Sequence, residues 1–365
     1  MKVVFQKLAQ KLQNPPSEQS VMVGFDGYVD NLYGVVQKKS GTQKHQFPDI
    51  ASFSRHIGNL AGKSGQVELA LKATKIGGNA PIMSQALGEL GFKVQCLGTL
   101  GYPQLHPVFQ SFHPNVYPHT LAMPGLSDAF EFDDGKLIFS DCGSFDTLDW
   151  EKVKENVGLE EFKEIYLQSQ LVAAVDWVNL PYATDIWRGL LNEIVRPSGH
   201  LSKRFLFDLA DPSRKSNAEI REALEVISAF SEFGEVALGL NENETNLVYA
   251  ALNEVELADY SLEEMASKIF QAITVDSLII HPVDRSFAIS KEGLVTQKGK
   301  VVLDPKILTG GGDNFNAGYV LGWLMNLEMV ERLLLGMACS GAYIQNGKSP
   351  DLHELKEYLE LWKED

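Results

Sequence analysis

The chain is poor in several things, and each shortage excludes a class of protein. Three cysteines stand among 365 residues, Cys96, Cys142 and Cys339, none paired at metal-ligand spacing. That excludes a disulfide scaffold and a cysteine-built zinc site. It reads as reduced thiols in a cytoplasmic protein, small core residues rather than chemistry. No stretch approaches the ~18 consecutive apolar residues of a membrane span. Met1 to Pro16 carries lysines at 2, 7 and 11 and no long apolar stretch, so it is not read as a secretory leader. Basic charge is in deficit: 32 Lys and Arg against 48 Asp and Glu give a net charge of −16. Nucleic acid and anionic membrane both want a basic face, so neither is an expected partner. A phosphate-bearing ligand would have to be held locally, by backbone amides or a metal ion. The chain also lacks internal repeats, low-complexity tracts and Gly/Ser linkers.

What remains suits a large core. Apolar residues make up 44% of the chain, and without a linker we expect one α/β domain over residues 1–365. Short apolar runs at 21–25, 94–97, 165–167, 205–209, 236–240 and 278–280 read as strands. Helical patterns lie between them, as at 79–90. Non-alternating strands separated by helices imply a mostly parallel central sheet covered by helices on both faces. Two stretches break the rhythm. Residues 28–36 have strand character, and Asp133-Asp134-Gly135-Lys136 between Phe132 and Leu137 is a hairpin signal. We expect 28–40 and 119–140 to form a small β-sheet lid. Its apolar outer face, with Phe130, Phe132 and Leu137, could pair two subunits into a homodimer.

The most informative segment is Leu308-Thr309-Gly310-Gly311-Gly312-Asp313-Asn314-Phe315-Asn316-Ala317-Gly318. Three glycines lead into an apolar, helix-length run. Glycines let successive amides point one way, and a helix N-terminus adds unpaired N–H groups and a positive dipole. Together they suit the charge of a transferring phosphoryl group. A carboxylate just behind them can take a proton from an attacking hydroxyl, and the helix dipole would favour its ionised form. A plainer reading makes Asp313 a helix cap.

That string resembles the C-terminal signature of the PfkB/ribokinase family of carbohydrate kinases, Gly-Ala-Gly-Asp followed by x-Phe-x-Ala-Gly. Two more family signatures stand in order: Gly77-Gly78-Asn79 ahead of a helix, and Asn241-x-x-Glu244 after a strand. The resemblance implies a ribokinase-like fold and a kinase that moves the γ-phosphate of ATP to a hydroxyl of a sugar or related polyol. A nucleoside or vitamin-like alcohol kinase, and a silent sugar-binding sensor, are the alternatives. Carried over, Asp313 would be the base and Gly310, Gly311 and Gly312 the anion hole. Asn241, Glu244 and Asn316 would serve the nucleotide, with Glu244 and Asn241 holding Mg²⁺ through water. Gly78 and Asn79 would meet the acceptor, together with Asp30 or, as second choice, Asp26. Asn241 and Glu244 also fit a helix capping box. The family's Thr-x-Gly-x-x-Gly nucleotide loop stands here as His281-Pro282-Val283-Asp284-Arg285-Ser286. Arg285 could replace lost phosphate contacts there or lie on the surface. The eight histidines are scattered and receive no ligand role.

Overall fold

The computed structural model describes residues 8, 10–12, 18–253, 260–307 and 309–362. Most of Met1–Pro16, and Leu308 of the glycine motif, lie outside them. The larger sheet holds β1 (Ser20–Phe25), β5 (Lys93–Gly98), β6 (Val116–Thr120), β9 (Leu171–Ala174), β10 (Lys203–Asp208), β11 (Gly234–Leu240), β12 (Ser277–Ile280), β13 (Arg285–Ser290) and β14 (Gly293–Lys298). Their order is β14-β13-β12-β11-β10-β9-β1-β5-β6. From β12 to β6 every neighbour is parallel; β13 and β14 add an antiparallel edge.

The pleat sends alternate residues of one strand into two cores. Met22 and Phe25 join Phe205 and Phe207 on one face, while Val21, Val23 and Leu206 face the other. Both faces are apolar because both are covered. Six helices matter below: α1 (Ile50–Gly58), α2 (Asn79–Glu89), α3 (Leu159–Gln168), α4 (Glu242–Asn253), α5 (Gly311–Leu324) and α6 (Met329–Asn346). Helix α5 is buried at every residue from Asp313 to Leu324. It runs against the sheet under α6, which explains a sequence apolar on all sides.

One expected strand is wrong. Residues 165–167 lie in α3, where Phe162, Ile165 and Tyr166 are buried at helical spacing. The strand follows at β9. A short apolar run does not reveal its period, and here it was the buried stripe of a helix.

The second sheet comprises β2 (Tyr28–Ser40), β3 (Gln43–Gln46), β4 (Glu68–Gly77), β7 (Gly125–Phe132) and β8 (Gly135–Asp141). Strand β2 pairs with β4 antiparallel and with β7 in parallel, so Asp30 lies opposite Lys75 and Ser127. The hairpin at Asp133-Asp134 joins β7 to β8. Residues 119 and 120, expected here, instead end β6 at the edge of the larger sheet. One face of this sheet carries Asp30, Leu32, Lys75, Glu131 and Ile138 onto a cavity of about 1010 Å³. On the other face Phe132 and Leu137, expected to be open for pairing, pack with Phe47 and with Phe53 of α1. The open apolar residues there are Leu69, Leu71, Leu126 and Phe139. Among the described residues no helix is long and apolar enough to cross a membrane.

Candidate active site

The parallel strands end on one crevice, and five of them deliver a polar residue to it. Strand β1 leads to Asp26, β9 to Asp176, β10 ends in Asp208, β11 leads to Asn241 and β12 to His281. The N-termini of α2 and α5 face those ends. Open α/β sheets bind ligands at this place.

The glycine motif enters α5 with Gly310 as N-cap at φ +88°, a left-handed conformation that a side chain makes costly. A Cβ there would also meet the Tyr343 hydroxyl at 2.7 Å. That hydroxyl donates to the Thr309 carbonyl at 3.0 Å and pins the loop. The first helical bond runs from Asn314 N to Gly310 O at 3.1 Å. The amides of Gly311, Gly312 and Asp313 precede it, with no helix carbonyl to receive them. At Gly311 a Cβ would meet only the flexible end of Ile344 at 3.2 Å and Ser340 Oγ at 3.3 Å. Gly310→Ala is therefore expected to lower unfolding stability by about 2 kcal/mol. Gly311→Ala should stay within about 1 kcal/mol, because helix propensity offsets a slight crowding. Urea midpoints of the two variants check this ordering.

Asp313 follows in the first turn, 6% exposed, with Oδ1 buried and partnerless. Asn79 faces the same carboxyl as a hydrogen-bond donor, so the two glycine-linked signatures meet. The helix dipole does not set its protonation. Burial, then the charges of Asp208 and Asp176, hold its pKa well above the ordinary carboxylate range. The expectation of a favoured ionised form is thus overturned, because a single dipole is outweighed by desolvation and two like charges.

The two candidate acceptor aspartates part company. Asp26 is fully buried, and its oxygens accept the amides of Asn79 and Ala80, both at 2.7 Å. It caps α2 from a distance, beside Gly78 at φ +93°. Asp30 projects from β2 into the cavity. Burial raises its pKa, opposed by a Ser127 hydrogen bond and by Lys136 and Lys75. The cavity wall reaches from Asp30 to Thr309, one residue before the glycines.

Asn241 and Glu244 close a complete capping box on α4. Glu244 N donates to Asn241 Oδ1 at 2.9 Å; Asn241 N and Nδ2 donate back to the Glu244 carboxylate at 2.8 and 2.6 Å. The capping reading therefore holds as geometry. Glu244 is nonetheless buried, and its pKa stands well above the usual range through burial, then Asp208, with Asp211 and Asp313 adding to it. Asn316 points at Asp208, donating to Oδ2 at 2.7 Å. Arg285 pairs with Glu263 at 3.2 Å and with Asp284 at 3.1 Å.

Sequence reasoning passed over Asp176, Asp208 and His281. Asp208 was findable: it ends a strand placed correctly, as Asp26 nearly does. Asp176 was hidden by the misplaced strand at 165–167. Its carboxyl, buried beside Asp26 and Asp208, is pushed up to about 6, and its Oδ2 has no partner. The Asp208 charge thus makes ionisation costlier at Asp176, Glu244 and Asp313, and the Asp176 charge does so at Asp26 and Asp313; carboxylate oxygens of this kind are hard donors, the type a hard divalent cation takes. Among the described residues, no three or more His, Cys, Asp or Glu are placed to hold a metal alone.

Comparison with known proteins gives a consistent picture. A family model described as prokaryotic ketohexokinase matches residues 4–362. A protein named ketohexokinase from Haloferax volcanii is 28% identical over 341 residues, covering 93% of this chain and 90% of that one. Adenosine kinase from Sinorhizobium meliloti aligns with TM-score 0.65 at 16% identity over 95% of this chain and 99% of its own. A ribokinase of Arabidopsis thaliana, solved with ribose and ATP, aligns with TM-score 0.64 at 12% identity over 94% and 99%. These last two likenesses show the fold.

Proposed function

The chain belongs to the prokaryotic ketohexokinase family and is a carbohydrate kinase; from that premise we propose that it phosphorylates a hydroxymethyl group of a ketohexose, with ATP as donor. The observation that carries this is Asp313 Oδ1, buried and unpartnered one residue behind the open amides of α5. Its pKa, held up by burial, makes it a better proton acceptor than an ordinary aspartate once ionised. The acceptor sits in the cavity with hydroxyls on Asp30 and the lid above it. The lid keeps water from competing as nucleophile. The amides of Gly311 and Gly312 receive the oxygens of the transferring group, so that charge finds dipoles already in place. A sugar kinase of similar fold that binds ribose and ATP supports the choice of donor. A coupled ADP-release assay with ketohexoses, and NMR of the product to locate the phosphate, tests the proposal. Turnover of aldoses with no ketohexose turnover would refute the substrate class.

Mg²⁺ fits the carboxylate end of the crevice, where it would neutralise donor phosphates against the local negative charge. Glu244 and Asn241 would face it through water, since their own atoms are spent on each other. Glu244→Gln keeps one of the two side-chain acceptors of the cap and removes one charge from a self-repelling group, and that relief outweighs the one hydrogen bond lost. We expect the ligand-free variant to gain on the order of 1 kcal/mol at neutral pH, because a carboxyl with a raised folded pKa loses stability as pH rises through it. The Mg²⁺ concentration for half activity should rise several-fold at the same time. Thermal melts and metal titrations measure the two effects, and a variant unchanged in both would leave Glu244 as a cap alone. Leu71 and Phe139 on the outer face of the lid, both more than half exposed, would support pairing of two copies there.

A further inference from the structure

We propose that Asn314 and Tyr343 are positioning residues of this kinase: each holds the carbonyl end of a peptide flanking Gly310, and so aims the amides that receive the transferring group. The inference rests on the kinase reading above. It adds one residue at a position the glycine signature leaves open, and one from α6, outside every signature.

A trans peptide carries its C=O and N–H on opposite edges of one plane, so whatever holds the oxygen also aims the hydrogen. In the Gly310–Gly311 peptide the oxygen accepts two bonds from one residue, Asn314 N at 3.1 Å and Asn314 Nδ2 at 2.9 Å. The carbonyl therefore points down α5, and the Gly311 N–H leaves the helix end towards the crevice. In the Thr309–Gly310 peptide the oxygen accepts from the Tyr343 hydroxyl at 3.0 Å. Burial, then the charges of Asp313 and Asp30, push the pKa of that phenol up, so it stays a donor. Gly310 sits between the two held planes at φ +88°.

Three successive glycines need such pins, because peptides without side chains turn readily. A flip of the Gly310–Gly311 plane would send a carbonyl oxygen into the crevice in place of an N–H. Its negative end would then oppose the phosphoryl oxygens, and preorganised donors are what developing charge requires. A peptide whose oxygen is hydrogen-bonded is also polarised, which makes its N–H a stronger donor. Stability alone does not account for Asn314. It is fully buried, and among the described residues its Oδ1 has no hydrogen-bond partner. Alanine would remove that stranded oxygen and is the better helix former. The side chain carries both penalties, and the bond it does make is the second one on Gly310 O.

The test compares Asn314→Ala, Asn314→Ser and Tyr343→Phe in the full chain. Ala removes the pin; a Ser hydroxyl can donate to the carbonyl four residues back and restores it. Steady-state kinetics should show kcat about 30-fold lower in the Ala and Phe variants, with KM for ketohexose and ATP within about twofold of wild type. Ser should lie within about threefold of wild type. Calorimetry with ketohexose present gives a readout independent of turnover. Mg²⁺-ADP with aluminium fluoride, a mimic of the transferring group, should bind the Ala and Phe variants about 30-fold more weakly, and Mg²⁺-ADP alone as tightly as it binds wild type. The acid limb of the kcat profile should persist, because Asp313 is intact. Thermal melting of Asn314→Ala should stay within about 3 °C of wild type. If Ala turns over within about threefold of wild type, if Ser loses as much as Ala, or if both nucleotide complexes weaken together, Asn314 is a packing residue and the proposal falls. If the Ala variant does not fold, Tyr343→Phe, which removes a single oxygen, decides by the same split between the two complexes. Wild-type protein that neither turns over ketohexose nor binds Mg²⁺-ADP would overturn the ketohexose and ATP reading itself, a result distinct from any difference among variants.

Discussion

Asp313→Asn should leave a folded protein that binds ketohexose and nucleotide yet turns over about a thousandfold more slowly. The amide keeps the size of the carboxyl and its contact with Asn79 but cannot take a proton. General-base contributions of this kind run from about 10² to 10⁴ in rate. The fold should not suffer and should tighten in one respect only: removing a buried charge that Asp208 and Asp176 oppose relieves repulsion in the ligand-free state. The pH profile separates this role from mere positioning. Because burial raises the Asp313 pKa, wild-type kcat should climb with pH through a value above the ordinary carboxylate range and then level off. The base must be ionised to work, so activity is lost on the acid side. In the Asn variant that limb should vanish while the residual rate stays flat. A variant that keeps the limb, or that turns over within tenfold of wild type, would place the base elsewhere in the crevice.

Much of the parallel sheet could be read from residues, and the reason is physical. Strands such as β1 and β10 are buried on both faces, so their apolar runs are continuous and bounded by turns. The glycine motif was legible because a left-handed N-cap at Gly310 needs glycine, which leaves a visible trace. The second sheet was legible only in part. Strand β4, Glu-Leu-Ala-Leu-Lys-Ala-Thr-Lys-Ile-Gly, is mostly solvated and carries a bulge opposite Leu32 and Tyr33, so no clean alternation marks it. Pairing of Asp26 with amides 53 and 54 residues away is a long-range fact that no local pattern carries. Asn241 and Glu244 show a further limit. One spacing serves both a cap and a charge in the crevice, and only the surrounding carboxylates, brought from other strands, reveal the second.

Asp30→Ala and Asp26→Ala should fail in opposite ways, and the contrast identifies the residue that meets the sugar. Asp30 stands on the cavity-facing side of β2, with one hydrogen bond from Ser127 and two lysines at a distance. Its loss removes a charged acceptor for sugar hydroxyls, worth about 1.5–3 kcal/mol. We expect ketohexose kcat/KM to fall about 100-fold, mainly through KM, with the urea midpoint almost unmoved. Asp26 has both oxygens committed to the Asn79 and Ala80 amides. Its loss strands two buried donors at the start of α2, each costing about 1–3 kcal/mol. Burial beside Asp176 makes the Asp26 carboxylate itself expensive, so removing it returns part of that cost. The net expectation is a destabilisation of about 2 kcal/mol with ketohexose KM changed only as far as Asn79 shifts. Denaturation curves and acceptor titrations on the same two preparations give all four numbers. If Asp26→Ala abolishes sugar binding at unchanged stability while Asp30→Ala binds normally, the acceptor lies under the lid's inner strand end rather than in the cavity. The roles of the two aspartates would then be exchanged.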